Sequence, residues 1–277
     1  MPGDAPAPAV HFLSDYGLVD EFVGDVHAVL HRVAPGVRVI DLTHRVPAFD
    51  IAAGAATLVR CAPSLGPGVV LAVVDPGVAT ARRAVAVRVG PPGGADRPSW
   101  LIGPDNGLLL PLADQLGGAV AARGLTAPGS TFDGRDVFAP AAGHLVTGGD
   151  PAALGPEVAI GSLVVLDADP PERLEGGRLH TAVAHVDGFG NVGLVARPAA
   201  LAGLGLAVGD PVDASVGPSA PVPARWVSAF GDLEDGELGL LVDADGRLAL
   251  VLDRAPADRR LGVGPGMRPP VTLGGPA

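Results

Sequence analysis

The stretch V-V-D-P-G-V-A-T-A-R-R-A, residues 73–84, carries the strongest local pattern in the chain. The apolar run Val69–Val74 is short, β-branched and bounded by Pro-Gly pairs, which predicts a buried strand. Asp75 is the first polar residue after that strand and therefore lies at its carboxyl end, the edge at which open α/β sheets bind ligands. Arg82 and Arg83 follow within one tight loop. The pattern predicts a carboxylate and a guanidinium held together, either in a ligand site or as a surface ion pair.

Strand and helix signals alternate on both sides of this stretch. Apolar runs predict strands at 10–13, 37–42, 69–74, 84–89 and 100–102. Helical spacing and composition predict helices at 21–33, 50–60, 107–115 and 137–147. Asp20 and Asp50 are the expected N-caps of the first two helices. This alternation predicts an α/β fold with a mostly parallel sheet and helices on both faces.

The pattern changes after the charged, proline-rich segment D-A-D-P-P-E-R-L-E-G at 167–176. Short strand signals then follow, separated by tight turns and without a long helix, at 179–186, 193–196, 211–216, 238–242 and 248–252. This pattern is typical of a small antiparallel β-domain. We therefore expect an N-terminal α/β domain at 1–166, a linker at 167–178 and a C-terminal β-domain at 179–277.

Composition and charge argue against nucleic acid and membranes as partners. The chain has 277 residues, 48% of them hydrophobic, with a mean hydropathy of +0.38, which predicts a globular protein. Its net charge of −11 and the lack of a basic stripe argue against a nucleic-acid partner. No apolar run is long enough for a membrane span, so no membrane partner is expected. The lone Cys61 and the absence of a leader pattern favour the cytoplasm.

Five stretches, taken together and in order, resemble the S-adenosylmethionine hydroxide adenosyltransferases. The first is V-V-D-P-G-V with Arg82 seven residues after Asp75. The others are F-L-S-D-Y-G at 12–17, G-P-D-N-G-L-L at 103–109, S-T-F-D-G-R-D-V-F-A-P at 130–140 and H-V-D-G-F-G-N-V at 185–192. Enzymes of that family hydrolyse S-adenosylmethionine to adenosine and methionine and are relatives of the fluorinase and chlorinase. The resemblance implies an N-terminal α/β domain and a C-terminal β-barrel.

The resemblance also implies a nucleophilic substitution at the ribose 5′ carbon. The leaving group is the neutral thioether of methionine, which needs no acid, so the enzyme has to orient a water molecule. Asp75 is expected to hold that water, as hydrogen-bond acceptor and base. Arg82 is expected to keep Asp75 ionised and to position the water, with Arg83 as the adjacent alternative. The resemblance implies S-adenosylmethionine as the substrate, and no cofactor or metal is expected in this reaction.

The resemblance also implies residues that bind the substrate, within the quoted motifs and outside them. By the resemblance, Asp15 accepts hydrogen bonds from the ribose hydroxyls, and Phe49 lies near the ribose and sulfonium. Asp187 meets the methionine ammonium, Asn191 contacts the adenine edge and Phe230 stacks on adenine. Arg135 and Asp136 are expected to pair structurally. Further residues expected to line the site are Asp105, Asn106, Phe132 and Phe189.

Two positions depart from the family pattern. The hydrolases of the family have a His after the Phe of T-F-x-G-R-D, and the halogenases have a Tyr, whereas this chain has Asp133. Asp133 either joins Asp75 and Arg82, which would raise one carboxyl pKa, or lies in a solvent-exposed D-G turn. Relatives have Ser near Ala244 and Asp245 to bind the methionine carboxylate, a contact that these two residues cannot provide.

Three other functions remain open at this stage. The chain could transfer the adenosyl group to a halide, which the Asp75 carboxylate would repel, or it could bind S-adenosylmethionine or adenosine without catalysis. It could also be a metal-dependent hydrolase with ligands Asp15, Asp75, Asp105 and Asp136. The histidines lack metal-ligand spacing, and His27 and His31 are interpreted as a helix-surface pair.

Relatives of this family are trimers with sites between neighbouring subunits. The resemblance therefore implies a homotrimer in which Asp15 and Asn191 of one site belong to different chains.

Overall fold

A computed structural model describes residues 7–90, 97–126, 130–167, 172–264 and 266–276. The chain divides into two compact units, Met1–Leu166 and Asp167–Ala277. The segment expected to be a linker falls partly outside the described residues, and its described part contains a short strand, Arg173–Glu175.

The described residues of the first unit form a six-stranded sheet and four α-helices. Its strands are β1 Ala9–Ser14, β2 Arg38–Thr43, β3 Gly68–Val73, β4 Ala84–Val89, β5 Pro98–Pro104 and β6 Ala119–Gly124. Its helices are α1 Phe22–Val33, α2 Ile51–Cys61, α3 Leu110–Gln115 and α4 Ala139–Val146. The sheet order is β2-β1-β3-β5-β4-β6, in which β4 runs antiparallel to both β5 and β6, whereas the β1–β2, β1–β3 and β3–β5 pairs are parallel. The predicted α/β class with a mostly parallel sheet is confirmed.

Strand β3 explains why helices cover both faces of this sheet. Its side chains alternate, as the two-residue period of a strand requires, so that successive apolar residues enter different cores. Val69, Leu71 and Val73 pack in one core with residues of α1 and α4, whereas Val70, Ala72 and Val74 pack in another with residues of α2 and α3. The continuous apolar run seen in the sequence is therefore a strand buried on both faces.

Of the two predicted helix N-caps, the structure confirms one. Asp50 caps α2, because its Oδ1 accepts a 2.8 Å hydrogen bond from the amide of Ala53. The prediction for Asp20 is wrong, since Glu21 is the N-cap of α1 and its side chain makes no capping bond. The helix starts at Phe22, one residue later than the sequence pattern predicted, so Asp20 lies one position before the cap. A π-helical turn, Gly134–Phe138, precedes α4 and begins the predicted helix earlier than expected.

The second unit is built around a closed barrel. Its strands are β7 Arg173–Glu175, β8 Arg178–Val186, β9 Val192–Leu194, β10 Pro211–Val216, β11 Val222–Trp226, β12 Leu238–Val242, β13 Leu248–Val251 and β14 Pro270–Gly274. Two short helices, α5 Ala199–Ala202 and α6 Ala257–Leu261, join them. Seven strands form the ring β14-β10-β11-β12-β13-β9-β8, which the β14–β8 pairing closes, and β7 pairs with β8.

The barrel differs from the prediction in one pairing. Strands β11 and β12 are parallel, with Ala224 opposite Leu238, whereas an entirely antiparallel unit was expected. The chain between them contains the 3₁₀ turn Phe230–Asp232, so it crosses over and does not form a hairpin. None of the helices in the described ranges is long and apolar enough to cross a membrane.

Candidate active site

The candidate site lies where the strand order of the first sheet reverses. From β1 the chain proceeds outward to β2, then returns to the other side of β1 as β3. Ligands bind at the carboxyl ends of parallel strands beside such a switch point. Asp15 follows β1 and Asp75 lies just beyond β3, and the Asp15 amide donates to the carbonyl of Val73. The fold therefore brings two carboxylates, distant in sequence, to adjacent strand ends.

Arg82 joins two buried carboxylates at this position. Its Nε donates a 3.0 Å hydrogen bond to Oδ1 of Asp75, and its Nη2 donates to Oδ2 of the same residue. The same Nη2 also donates a 2.7 Å bond to Oδ2 of Asp133. The side chains are 8% exposed for Arg82 and 6% exposed for each aspartate. The predicted surface ion pair is thus excluded, because all three groups are buried.

One buried nitrogen of Arg82 is left without a partner in the part of the chain that the structure describes. Its Nη1 atom has no hydrogen-bond partner among the described residues. A buried guanidinium nitrogen without a partner is costly in free energy, so such a group is usually matched by a ligand or an ordered water. Arg83, the alternative partner of Asp75, donates to Oδ2 of Asp105 at 2.8 Å. Of the two arginines, Arg82 is therefore the one in the Asp75 cluster.

The π-helical turn explains why Asp133 is buried. Asp133 is the N-cap residue of Gly134–Phe138 and is 5% exposed. Phe138 follows in the same turn and lies under the Arg82 guanidinium, 5.5 Å from ring centroid to Cζ. The exposed D-G turn considered from the sequence is wrong, since the turn is folded into the helix start and its carboxylate binds Arg82.

Two pKa shifts follow from this arrangement. Burial raises the pKa of Asp75 above its ordinary value, and the like charge of Asp133 adds to the shift, whereas Arg82 opposes it. Burial likewise raises the pKa of the Tyr16 phenol, with further contributions from Asp15, Asp75 and Asp133. Tyr16 therefore stays neutral beside the cluster and offers a hydroxyl donor. Its position in the F-L-S-D-Y-G motif was the available signal, although the sequence alone did not identify it as a site residue.

Asp15 and Phe49, the two residues expected to bind the ribose, are in direct contact. The amide of Phe49 donates a 2.9 Å hydrogen bond to Oδ2 of Asp15. Phe49 has a left-handed backbone, with φ of 66°, and the residue is 71% exposed. A non-glycine residue in this conformation costs about 1 kcal/mol or more, and such strain occurs often at ligand sites. The strained backbone leaves the aromatic ring on the surface next to Asp15.

Asp105 and Asn106 bind neighbouring loops and strand ends through hydrogen bonds. Asp105 accepts from Arg83 and from the amide of Val164, using both carboxylate oxygens. The Asn106 side chain donates to the carbonyl of Val74 at 2.9 Å and accepts from the amide of Leu108. These contacts fix the turn after β5 against the end of β3. Asn106 thus supports the backbone immediately before Asp75.

Phe132 belongs to an aromatic group beside the cluster. Its ring lies 5.5 Å from that of Tyr16 and 5.2 Å from that of Phe22, both in edge-to-face geometry. The predicted pairing of Arg135 with Asp136 is confirmed, with Nε to Oδ1 at 2.7 Å. Phe132, Arg135 and Asp136 are thus near Asp133 in sequence. None of these three side chains is hydrogen-bonded to the Asp75–Arg82–Asp133 cluster.

The second unit carries the remaining predicted residues. Asp187 organises the loop after β8, accepting from the amides of Phe189 and Asn191 at 2.8 and 2.9 Å. Its Oδ2 accepts a 2.8 Å bond from the Asn191 side chain. Phe189 and Phe230 are exposed aromatic residues, the latter at the start of a 3₁₀ turn. These positions present amide, carboxylate and aromatic groups at the barrel surface.

The four aspartates proposed as metal ligands bind other groups. Asp75 pairs with Arg82, Asp105 with Arg83 and Asp136 with Arg135, whereas Asp15 accepts from a backbone amide. Within the described ranges, these four residues do not converge at metal-binding distance. A metal-dependent hydrolase site built from them therefore has no support in the geometry.

The fold and this cluster define an α/β protein with a C-terminal β-barrel, whose site joins an arginine to paired carboxylates at a sheet switch point. Two family models match the chain, the SAM hydroxide adenosyltransferase N-terminal domain over residues 10–155 and its C-terminal domain over 181–268. The chain belongs to the SAM hydroxide adenosyltransferase family.

Similar proteins agree with this assignment. A protein of Salinispora tropica named (R)-S-adenosyl-L-methionine hydrolase is 43% identical, over 98% of this chain and 100% of its own length. A Thermus thermophilus protein of the same name is 39% identical over 95% of this chain and 98% of its own length. The crystal structure of an uncharacterised conserved protein from Thermotoga maritima superposes with a TM-score of 0.84 at 31% identity, covering 96% of this chain and 99% of that one.

Proposed function

We propose that this protein hydrolyses S-adenosyl-L-methionine to adenosine and L-methionine. Water attacks the ribose 5′ carbon in this reaction, a carbon–oxygen bond forms, and the carbon–sulfur bond breaks with its electron pair moving to sulfur. The sulfonium thereby becomes a neutral thioether, and one proton leaves the attacking water. The similarity to hydrolases at 39% and 43% identity over nearly the whole chain supports this substrate and reaction.

The observation that carries the proposal is the buried Asp75–Arg82–Asp133 cluster with the unpartnered Nη1 of Arg82. A water that accepts from Nη1 can donate to a carboxylate, because each carboxylate oxygen has a second lone pair. Arg82 contacts Asp133 through Oδ2, so Oδ1 of Asp133 is a further acceptor. This arrangement orients a single water, and orientation is the chief requirement for an in-line displacement.

Asp75 acts as the base in this scheme. Its raised pKa makes the ionised form a stronger proton acceptor than an ordinary aspartate, while the charge of Arg82 favours that ionised form. Asp15 holds the ribose hydroxyls and Phe49 covers the ribose and sulfonium. Asp187, Asn191 and Phe230 bind the methionine and adenine ends, with Phe132 and Phe189 lining the site. No cofactor or metal takes part in the proposed step.

The test is hydrolysis in water enriched in ¹⁸O. Adenosine and methionine are measured by liquid chromatography with mass spectrometry, using untagged protein and the Asp75→Asn variant as control. The proposal predicts equal amounts of both products, with ¹⁸O in the 5′ hydroxyl of adenosine and not in methionine. Recovery of intact substrate, with binding still detectable by calorimetry, would instead support a non-catalytic binding protein.

The halide alternative is tested in the same assay. The Asp75 carboxylate repels an anion at the nucleophile position, so added fluoride or chloride should yield no 5′-halo-5′-deoxyadenosine.

The stereochemistry of the substrate is a further expectation. The names of the similar proteins specify an R form of S-adenosyl-L-methionine. Because L already fixes the α-carbon, we take R to describe the sulfonium centre and expect that epimer to be the faster substrate.

We propose further that the enzyme is a cytoplasmic homotrimer in which a neighbouring subunit completes each site. Exposed aromatic residues of both units, including Phe49 and Phe189, are consistent with burial against another copy. Light scattering gives the oligomeric state. Mixed assemblies of two inactive variants, Asp75→Asn and Asn191→Ala, should regain activity if each site combines two chains. Failure to regain activity in verified mixed assemblies would mean that both residues of a site come from one chain.

A further inference from the structure

Two histidines and an aspartate meet outside the proposed catalytic cluster. His27 lies on α1, Asp41 lies on the edge strand β2, and His44 follows that strand. Nε2 of His27 is 2.9 Å from Oδ1 of Asp41, and Nε2 of His44 is 3.1 Å from the same oxygen. The three ligand atoms lie within 4.8 Å of one another, the one such group of three among the described residues.

His44 provides an independent indication of a ligand. The residue is 4% exposed, and its Nδ1 shares a 2.8 Å hydrogen bond with the hydroxyl of buried Ser14. Its Nε2 has no hydrogen-bond partner among the described residues, because the contact with Asp41 lacks hydrogen-bond geometry despite its length. A buried imidazole nitrogen without a hydrogen bond is costly, and with the proton on Nδ1 the lone pair of Nε2 points into the group, where a cation can accept it.

We propose that His27, Asp41 and His44 bind a divalent transition metal ion of the Zn²⁺ class. Two imidazoles and a carboxylate form a common three-residue ligand set for Zn²⁺, with a further position for water. Tetrahedral coordination at about 2.0–2.1 Å separates neighbouring ligand atoms by about 3.3 Å. The observed separations of 2.9 and 3.1 Å need to open by only a few tenths of an ångström.

The surroundings of the three residues fit a metal site. Ser14 bonds the outer nitrogen of His44, which fixes the ring and directs Nε2 inward, as partners of metal-binding histidines do. The Phe12 ring packs against the His44 ring at 4.5 Å between centroids, and this contact also limits its rotation. His27 and Asp41 have side chains 37% and 41% exposed, so an ion can enter from solvent and retain water.

The ion would bind on an element shared with the proposed active site without using its residues. Ser14, which supports His44, immediately precedes Asp15, and the His44 carbonyl accepts a 2.7 Å bond from the amide of Gly17. Bound metal would therefore hold β2, α1 and the 14–17 turn together. This role is structural, and it is independent of the proposed hydrolysis.

The experiment uses untagged full-length protein stripped with a chelator. Zn²⁺ binding is measured by calorimetry, and Co²⁺ is added as a spectroscopic probe, since its visible bands report nitrogen and oxygen ligation in a four-coordinate site. We expect one saturable Zn²⁺ per chain, Co²⁺ bands that Zn²⁺ displaces, and a rise of a few degrees in the unfolding midpoint with Zn²⁺. Ca²⁺, which prefers sets of six or more oxygen ligands, should give none of these.

Variants assign the binding to these residues. His27→Ala and Asp41→Asn each remove one ligand and should weaken Zn²⁺ binding at least 100-fold. His31→Ala is the matched control, because His31 is an exposed histidine one helical turn further along α1. It should leave affinity unchanged. Circular dichroism verifies that each variant is folded. The proposal is overturned if Zn²⁺ does not bind saturably, or if folded His27→Ala and His31→Ala bind it equally well.

Discussion

Arg82 and Asp133 are 51 residues apart in the chain and are joined by a 2.7 Å hydrogen bond in a buried site. This bond makes Arg82 the bridge between two like charges, since the same nitrogen also binds Asp75. Two carboxylates that share one guanidinium can both remain ionised, although burial opposes it. The proposed water site therefore depends on three residues, each of which affects the charge of the other two.

The first prediction separates catalysis from binding. Asp75→Asn removes the base but keeps the size of the side chain, and should lower kcat by roughly 10² to 10⁴ with little change in the Kd of S-adenosylmethionine. Asp15→Ala removes the acceptor for the ribose hydroxyls and should act mainly on Kd. Steady-state kinetics and calorimetry measure the two effects. Matching kinetic and binding profiles for the two variants would contradict this assignment of roles.

The second prediction concerns pH. The raised pKa of Asp75 means that activity should fall as the pH drops through that pKa, because the protonated acid cannot accept a proton. Asp133→Asn removes a like charge that raises the pKa of Asp75, so the acid limb of kcat should move to lower pH. Asp133→His restores the residue of the family hydrolases and should remain active. An unchanged pH profile in Asp133→Asn would show that Asp133 does not influence the base.

The third prediction concerns stability. Arg82→Met leaves two buried carboxylates without their common partner and should lower the free energy of unfolding by about 3–5 kcal/mol. Arg123→Met is the control, because Arg123 pairs at 3.1 Å with a Glu157 side chain that is largely exposed. Loss of such a surface pair should cost less than about 1 kcal/mol. Urea unfolding measures both, and equal losses would indicate that Arg82 does not stabilise buried charge.

Local sequence patterns predicted the central part of the site but not its third member. The apolar run before Asp75 predicted the strand end, and the short loop after it predicted an Asp–Arg pair. The choice of Arg82 over Arg83 came from the resemblance to the family. Asp133 could not be decided, since an Asp-Gly pair is equally typical of an exposed turn. Its burial depends on the π-helical turn and on an arginine from a distant part of the chain.

Tertiary proximity also explains what the patterns missed. His27, Asp41 and His44 have no metal-ligand spacing in sequence, and the 2.9 Å approach of His27 to Asp41 is what completes the group. The parallel β11–β12 pair was missed because turn signals predict hairpins and carry no information on crossovers. Strand β14 begins at the second of two prolines, which weakens the strand signal, although Pro at a strand start is compatible with pairing.

The last prediction tests the close approach of Gly134 to Tyr16. A Cβ atom at Gly134 would lie 2.0 Å from the Tyr16 hydroxyl and 3.0 Å from its Cζ, so Gly134→Ala must displace the phenol beside the carboxylates. We expect a loss of about 1–3 kcal/mol in unfolding free energy and a lower kcat. Gly24→Ala, in α1 with open space around its Cα, should instead stabilise by about 0.4–1 kcal/mol. Tyr16→Phe removes the hydroxyl oxygen that the new Cβ would overlap most. The double variant Gly134→Ala/Tyr16→Phe should therefore be more stable than the sum of the two single changes predicts. Strictly additive unfolding energies would mean that the Gly134 methyl group is accommodated without moving Tyr16.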